Sequence, residues 1–412
     1  MGTKRFSGLA VLSTLYVAAS SFLLKVDDAN ATSVAGKPIA TELRLSNFEN
    51  VQYYGLFKIG PFRVNTVFDT GSFDILTLSK KCTKCGAAAK YDSSKSKTYE
   101  PNGTKVAYTF GSGKVIAELG YETAGIGQFL SKHQLFGEII DHEVDALTKG
   151  RWSTIVGMPK LGSKRGKSWM DAEDVKQFAL CLEKRDQGPG HLRIGPDLVF
   201  ATGQDRYKDL PSISISGKEH WAAKMTQVSV KGKTLACTGG CGGIVDTGTS
   251  GIVGPPSGIK ALRNEVGEVH KNCSNAADLP PVQFSLGGAT VSIPSSAYVI
   301  QTDADQVPSY KGDLKRICVD IFMQMDVETN MGPLWILGMP FMRQYYTIFD
   351  RDTPGVRFGE AGSDCKPKAS TAIHLADHDV HEDLSDKWAP LRVNLRDLSF
   401  PSWVKEGEHL EL

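Results

Sequence analysis

Two carboxylates stand out for the setting that the chain gives them. Asp69 lies in Phe68-Asp69-Thr70-Gly71-Ser72, and Asp246 lies in Val245-Asp246-Thr247-Gly248-Thr249-Ser250, 177 residues further on. Each follows an apolar stretch and precedes Thr-Gly, which places it at a strand end in a tight turn. The glycine lets the backbone turn and aims N–H groups at the carboxylate. If the two turns meet, the carboxylates cannot both ionise cheaply, so the pair holds one proton over a wide acidic range. The ionised member then takes a proton from a shared water that attacks a peptide carbonyl, while the protonated member donates to the carbonyl oxygen. Thr70 and Thr247 are placed to lock the turns together, and Ser72 and Thr249 to bond the outer carboxylate oxygens. The plainer alternative is that each Asp stabilises only its own turn.

An internal repeat favours the chemical reading. Ile155-Val156-Gly157-Met158-Pro159 begins 86 residues after Asp69, and Ile336-Leu337-Gly338-Met339-Pro340 begins 90 after Asp246. One Asp-Thr-Gly is common in proteins. Two motifs repeated in the same order at nearly the same spacing imply two similar lobes. The elements that carry them read as strands and turns. Val282, Phe284 and Leu286 alternate, Gly287-Gly288 turns the chain, and Val291 and Ile293 resume the alternation. Val228 and Val230 lead through Lys231-Gly232 to Leu235 as a second hairpin, and Tyr108 to Leu119 folds around Gly111-Ser112-Gly113. A helix is expected over Asp171–Glu183, where Val175, Phe178, Ala179 and Leu182 share a face.

The chain has 412 residues, with 47 Lys+Arg against 46 Asp+Glu and a formal charge of +1. That length buries a sizeable core in two to three domains, and the balance excludes a basic nucleic-acid surface. Lys4 and Arg5 precede an apolar run from Phe6 to Leu24, with Ala18-Ala19-Ser20 and Ala29-Asn30-Ala31 as cleavage signals. This is the layout of a secretory signal peptide over residues 1–24, with an uncleaved membrane anchor as the alternative. Either one delivers the body to an oxidising lumen, where the eight cysteines are expected to pair. Sequons at Asn30, Asn102 and Asn272 fit that compartment. A four-thiolate zinc site from Cys82-x2-Cys85 and Cys237-x3-Cys241 is the competing use of the thiols. No nucleophile-elbow motif supports Ser-His-Asp chemistry, and His374, His378 and His381 lie in a polar tail.

The sequence resembles the pepsin-like aspartic proteases from about Asn50 to Gly362. The resemblance is carried by Tyr53-Tyr54-Gly55 leading to Ile59-Gly60, by FDTGS at 68–72, and by Tyr91-Asp92-Ser93-Ser94 through Ser96, Thr98 and Tyr99. In the second half it is carried by CTGGCGGIVDTGTSGIVGP at 237–255, LPPVQFSLGG at 279–288 and WILGMPFMRQYYTIFDRDTPGVRFG at 335–359. It implies an all-β-dominated, two-lobed fold with a pseudo-twofold duplication, a few short helices and a substrate cleft between the lobes. Residues 50–210 would form the lobe with Asp69, and 211–365 the lobe with Asp246. The implied activity is aspartic endopeptidase activity on extended polypeptides, open to pepstatin-type inhibitors, with Asp69 and Asp246 as the dyad. No metal or organic cofactor is called for, and a monomer is expected. The resemblance also implies disulfides Cys237–Cys241 and Cys273–Cys318, with Cys82–Cys85 at a small loop, leaving Cys181 and Cys365 as the remaining pair.

Three departures accompany the resemblance. The family usually has a flap tyrosine just before Gly-Thr-Gly or Gly-Ser-Gly. Here Phe110 precedes Gly111, and Tyr108 lies two positions earlier on the same side of the strand, so a longer hairpin would restore Tyr108 to that role. Leu76 stands where a tryptophan often hydrogen-bonds that tyrosine. An altered flap gives footing to the rival reading, a catalytically weak or silent protein that binds peptide, glycan or another enzyme in its cleft. Second, residues 25–49 read as a short pro-like N-terminal segment, whose part before a mature-like start near Thr41 is too short for the usual inhibitory prosegment. Third, residues 366–412 form an extension with 6 basic and 9 acidic residues. In it Leu391-Arg392-Val393-Asn394-Leu395 is placed to add a strand, and Phe400, Trp403 and Val404 to dock, with a disordered or removable tail as the equal alternative. Its final His409-Leu410-Glu411-Leu412 resembles an ER-retrieval signal. Secretion, an acidic vesicle and ER retention are the expected locations.

Overall fold

The alternating segments fold as their patterns require. Val282–Leu286 pairs with Ala289–Ile293 through Gly287 and Gly288, both at positive φ (55° and 82°). Ala222–Val230 pairs with Lys233–Ala236 through Lys231-Gly232. The structure, a computed structural model, describes residues 40–110, 113–160, 166–195, 198, 210–363, 365, 389–401 and 409–412. Among these the fold is mostly β, with a 13-stranded and a 10-stranded sheet, in keeping with the two-lobed pepsin fold.

Each motif pair builds the same crossed arrangement. Phe62–Asp69 runs parallel to Thr154–Gly157, with Asp69 opposite Gly157, while Ile75–Leu78 runs antiparallel along the other edge of that strand. In the second lobe Cys241–Val245 runs parallel to Gly332–Leu337, and Ile252–Gly254 flanks it in the antiparallel sense. The glycine ending each apolar-apolar-Gly segment is required by this crossing. A Cβ on Gly157 would meet the Phe73 backbone, and one on Gly338 would meet the carbonyls of Thr249 and Gly251. The repeat is thus a packing device beneath each Asp turn.

The lobes are joined by a run of six strands. Its order is Ser212–Ser214, Gly355–Glu360, Tyr345–Asp350, Gln177–Leu182, Gly190–Ile194 and Thr41–Phe48. Thr41–Phe48 is therefore part of the body's own sheet, and Arg44 sits exposed in it opposite His191. The helix expected over Asp171–Glu183 is not formed. One turn at Trp169–Ala172, capped by Ser168, gives way to Asp174 at φ 50°, and Gln177–Leu182 is a strand buried from Phe178 to Leu182. Both faces of that strand are covered, so a continuous apolar run suits it, and such a run does not distinguish strand from helix by period.

The extension docks on the body. Leu391–Arg392 adds in parallel to Val299–Asp303, and the Val393 amide donates to the Gln301 carbonyl (2.8 Å). Phe400 packs against a cluster containing Val253, Met323, Met325 and Ile336. His409–Leu410 pairs with Glu328–Thr329, and Leu412 is 1% exposed. Trp403, Val404, His374, His378 and His381 lie outside the described residues, as do the run Phe6–Leu24 and Asn30. Among the described residues no helix is long and apolar enough to cross a membrane.

Candidate active site

The two Asp turns meet at the lobe junction and are tied to each other and to the strands beneath. Met158 N donates to the Asp69 carbonyl (2.8 Å), and Asp246 N donates to the Leu337 carbonyl (3.0 Å). Across the junction Thr70 Oγ1 donates to the Val245 carbonyl (3.0 Å) and Thr247 Oγ1 to the Phe68 carbonyl (2.6 Å). Each hydroxyl also accepts from the opposite amide, Thr70 N to Thr247 Oγ1 and Thr247 N to Thr70 Oγ1, both at 3.0 Å. Four buried bonds at about 1 kcal/mol net each fix how the turns face one another. Losing either hydroxyl would strand a buried carbonyl and an amide together.

This clamp brings the carboxylates together. Asp69 is 2% exposed and Asp246 0%. Gly71 N donates to Asp69 Oδ1 (2.9 Å) and also to Asp246 Oδ1 (3.1 Å), so the two oxygens lie no further apart than the sum of those distances. Gly248 N donates to Asp246 Oδ1 (2.9 Å), and Thr249 Oγ1 donates to Asp246 Oδ2 (2.6 Å). The expected symmetry stops there. Ser72 Oγ is buried with no hydrogen-bond partner among the described residues, so it does not support Asp69 as Thr249 supports Asp246. Space is tight as well, since a Cβ on Gly248 would strike Asp69 Oδ1.

Burial, and then the charge of Asp69, pushes the Asp246 carboxyl well above the usual carboxylate range. A side-chain hydrogen bond with Asp69 works in the same direction, while the bonds from Thr249 and Gly248 pull against it. The pair therefore holds on to one proton that a lone, solvated carboxylate would lose. Such proton sharing is the established behaviour of aspartic-protease dyads, and here it follows from burial plus a like charge.

The long hairpin of Glu100–Phe110 and Gly113–Ile126 stands where the altered flap was expected. Tyr108 pairs with Val115 and Phe110 with Gly113, while Gly111 and Ser112 lie outside the described residues. Tyr108 packs against a cluster that contains Leu76, Val115 and Val144, and leucine at 76 brings no indole donor to it.

All eight cysteines are paired, as Cys82–Cys85, Cys181–Cys365, Cys237–Cys241 and Cys273–Cys318. The four-thiolate zinc alternative is thereby overturned, because both of its Cys pairs are closed as disulfides. Cys82, Cys85 and His142 have ligand atoms within 4.8 Å of one another. With the sulfurs joined they offer no thiolate, and His142 Nδ1 already accepts from Val144 N (3.1 Å). Asn102 and Asn272 are both exposed. Sequence reasoning missed Ser250, which lies four residues past Asp246, is fully buried, and donates from Oγ to the Val51 carbonyl (2.7 Å). Its only signal was its place in the motif.

Comparison with known proteins agrees with this geometry. The family model described as eukaryotic aspartyl protease matches residues 52–361. Cathepsin D of Chionodraco hamatus is 34% identical over 344 residues, covering 77% of this chain and 83% of its own length. Cathepsin D of Gallus gallus is 32% identical over 340 residues, covering 77% and 82%. Pepsin A of Sus scrofa is 30% identical over 329 residues, covering 74% and 80%. The matched span holds both Asp-Thr-Gly turns, both crossed strands beneath them and five of the six junction strands, all but Thr41–Phe48, and the chain belongs to the eukaryotic aspartyl protease family.

Proposed function

We propose that the protein is an aspartic endopeptidase that works at acidic pH with Asp69 and Asp246 as its dyad. The observation that carries this reading is the Gly71 amide shared between Asp69 Oδ1 and Asp246 Oδ1. It holds both carboxylates on one small volume where a single water can touch each. The two carboxyls share one proton, and the mechanism gives it to Asp246 at the start of the cycle. Asp69 takes a proton from the water as it attacks the peptide carbonyl, and Asp246 passes its own proton to the carbonyl oxygen. Thr70, Thr247, Gly71, Gly248 and Thr249 hold this geometry, and Tyr108 is the flap residue nearest to the family's pattern. The substrate is an extended polypeptide whose backbone pairs along the cleft walls. A secretory-pathway location is supported by four disulfides.

The protein should cleave a protein substrate at acidic pH, and pepstatin should block it. Asp246→Asn is expected to lower kcat at least a thousandfold while the fold survives. Undiminished activity in that variant would mean that the dyad has been misassigned. The silent-binder reading draws on Leu76 at the flap base, and full inactivity of the wild type with retained peptide binding would favour it.

A further inference from the structure

The end of the chain returns to the dyad. Ser250 N donates to the Ser399 carbonyl (3.0 Å), and Ser399 N donates back to Ser250 Oγ (2.8 Å). Ser250 Oγ in turn reaches the Val51 carbonyl of the other lobe. Ser399 thus exchanges two hydrogen bonds with a dyad-turn residue through its own main chain, which is how an extended peptide pairs with a cleft wall. Four residues of extended chain span at most about 14 Å, so Ser250 lies within about four substrate residues of the Asp246 end of the scissile bond.

Contacts on both sides seat the segment across the junction. Leu398 and Phe400 pack against the cluster containing Val253, Met323 and Met325, and Pro401 is buried. Upstream, Asn50 Nδ2 donates to the Arg392 carbonyl (2.7 Å), and Arg392 N donates to Asp186 Oδ1 (3.1 Å). Leu395 N donates to Gln306 Oε1 (2.6 Å) on the opposite lobe. Leu398, Ser399 and Phe400 themselves remain half-buried. The main-chain pairing at Ser250 is therefore made by a lightly covered stretch held between two anchored flanks.

We propose that residues 398–401 are an intramolecular occupant of the peptide-binding cleft, and that they shorten the stretch of substrate accepted on one side of the scissile bond. The inference rests on the protease reading above. A substrate with a short overhang on that side binds without displacing the segment. A longer one must first displace Ser399 from Ser250.

The test uses full-length protein and three non-cleavable reduced-amide peptides at acidic pH. One is a core with two residues on each side of the reduced bond, and the others add four residues at the amino or the carboxyl end. Ser399→Pro removes the amide that donates to Ser250, and Phe400→Ser loosens the adjoining packing. Either variant is expected to raise the long-to-core affinity ratio at least tenfold for one of the two lengthened peptides. In the wild type, saturation with that peptide should speed hydrogen exchange across residues 391–401 at least tenfold, while the core peptide should not. Wild-type ratios in both variants, or unchanged exchange with a long peptide bound, would place the segment outside the substrate's path. Peptides that bind without these changes overturn this inference alone. No binding and no proteolysis overturn the protease reading and this inference with it.

Discussion

The Asp69 and Asp246 carboxyls sit in unequal surroundings. Asp246 is bonded by Thr249 Oγ1 and Gly248 N, whereas Ser72 Oγ, in the matching place beside Asp69, has no partner among the described residues. The raised proton affinity of Asp246 has a consequence for stability with a definite sign. A carboxyl that binds its proton more tightly when folded takes up a proton on folding. Its contribution is fully present below the unfolded value, about 3.9, and is lost as pH rises toward the higher folded value. The slope from this group is at most about 1.4 kcal/mol per pH unit. Urea unfolding of Asp246→Asn should therefore show a gain over the wild type at pH 7 that is smaller at pH 4. Parallel stability curves would contradict it. Gly248 gives a second prediction at this scale. Because its Cβ would strike Asp69 Oδ1, Gly248→Ala should lower kcat about a hundredfold by misplacing the carboxylate. A melting temperature within a few degrees of the wild type would separate that from unfolding.

Among the elements, the disulfides differ most in what they constrain. Cys181–Cys365 links residues 184 apart, whereas Cys82–Cys85 spans a separation of 3. Chain entropy gives about 5 kcal/mol for the long closure and under about 2 kcal/mol for the short one. The Cys181→Ala/Cys365→Ala pair should therefore lose at least about 2 kcal/mol more in urea unfolding than Cys82→Ala/Cys85→Ala. Elements also divide what the sequence displayed from what it concealed. Both Asp turns and the hairpin at Val282–Ile293 were legible because motif spacing and period-two alternation are local signals. The strand Gln177–Leu182 was not, because its covered faces call for an unbroken apolar run that a buried helix would share. That Ser72 Oγ finds no partner among the described residues was hidden too, since a motif states residue type and not side-chain direction.

At the scale of the whole molecule, the extension was legible in part. The strand at Leu391–Arg392 and the docking of Phe400 were expected from the residues themselves, whereas the strand's partner, Val299–Asp303, lies far back in the chain and leaves no local signal. Ser399 carried no signal, because its two bonds to Ser250 run through the main chain. The lobes themselves were visible through the repeat, which forces Asp69 and Asp246 into equivalent turns. The six-stranded junction bears on biosynthesis. Gln177–Leu182 is flanked on one side by Gly190–Ile194 and on the other by Tyr345–Asp350, so one neighbour leaves the ribosome promptly and the other only near the end of translation. Until then the first half of the chain presents an open apolar strand edge of the kind that captures other chains. Folding of this protein is therefore a late, long-range closure, and the same closure that protects the nascent edge assembles the dyad. A translation product truncated before Tyr345–Asp350 would keep that edge open.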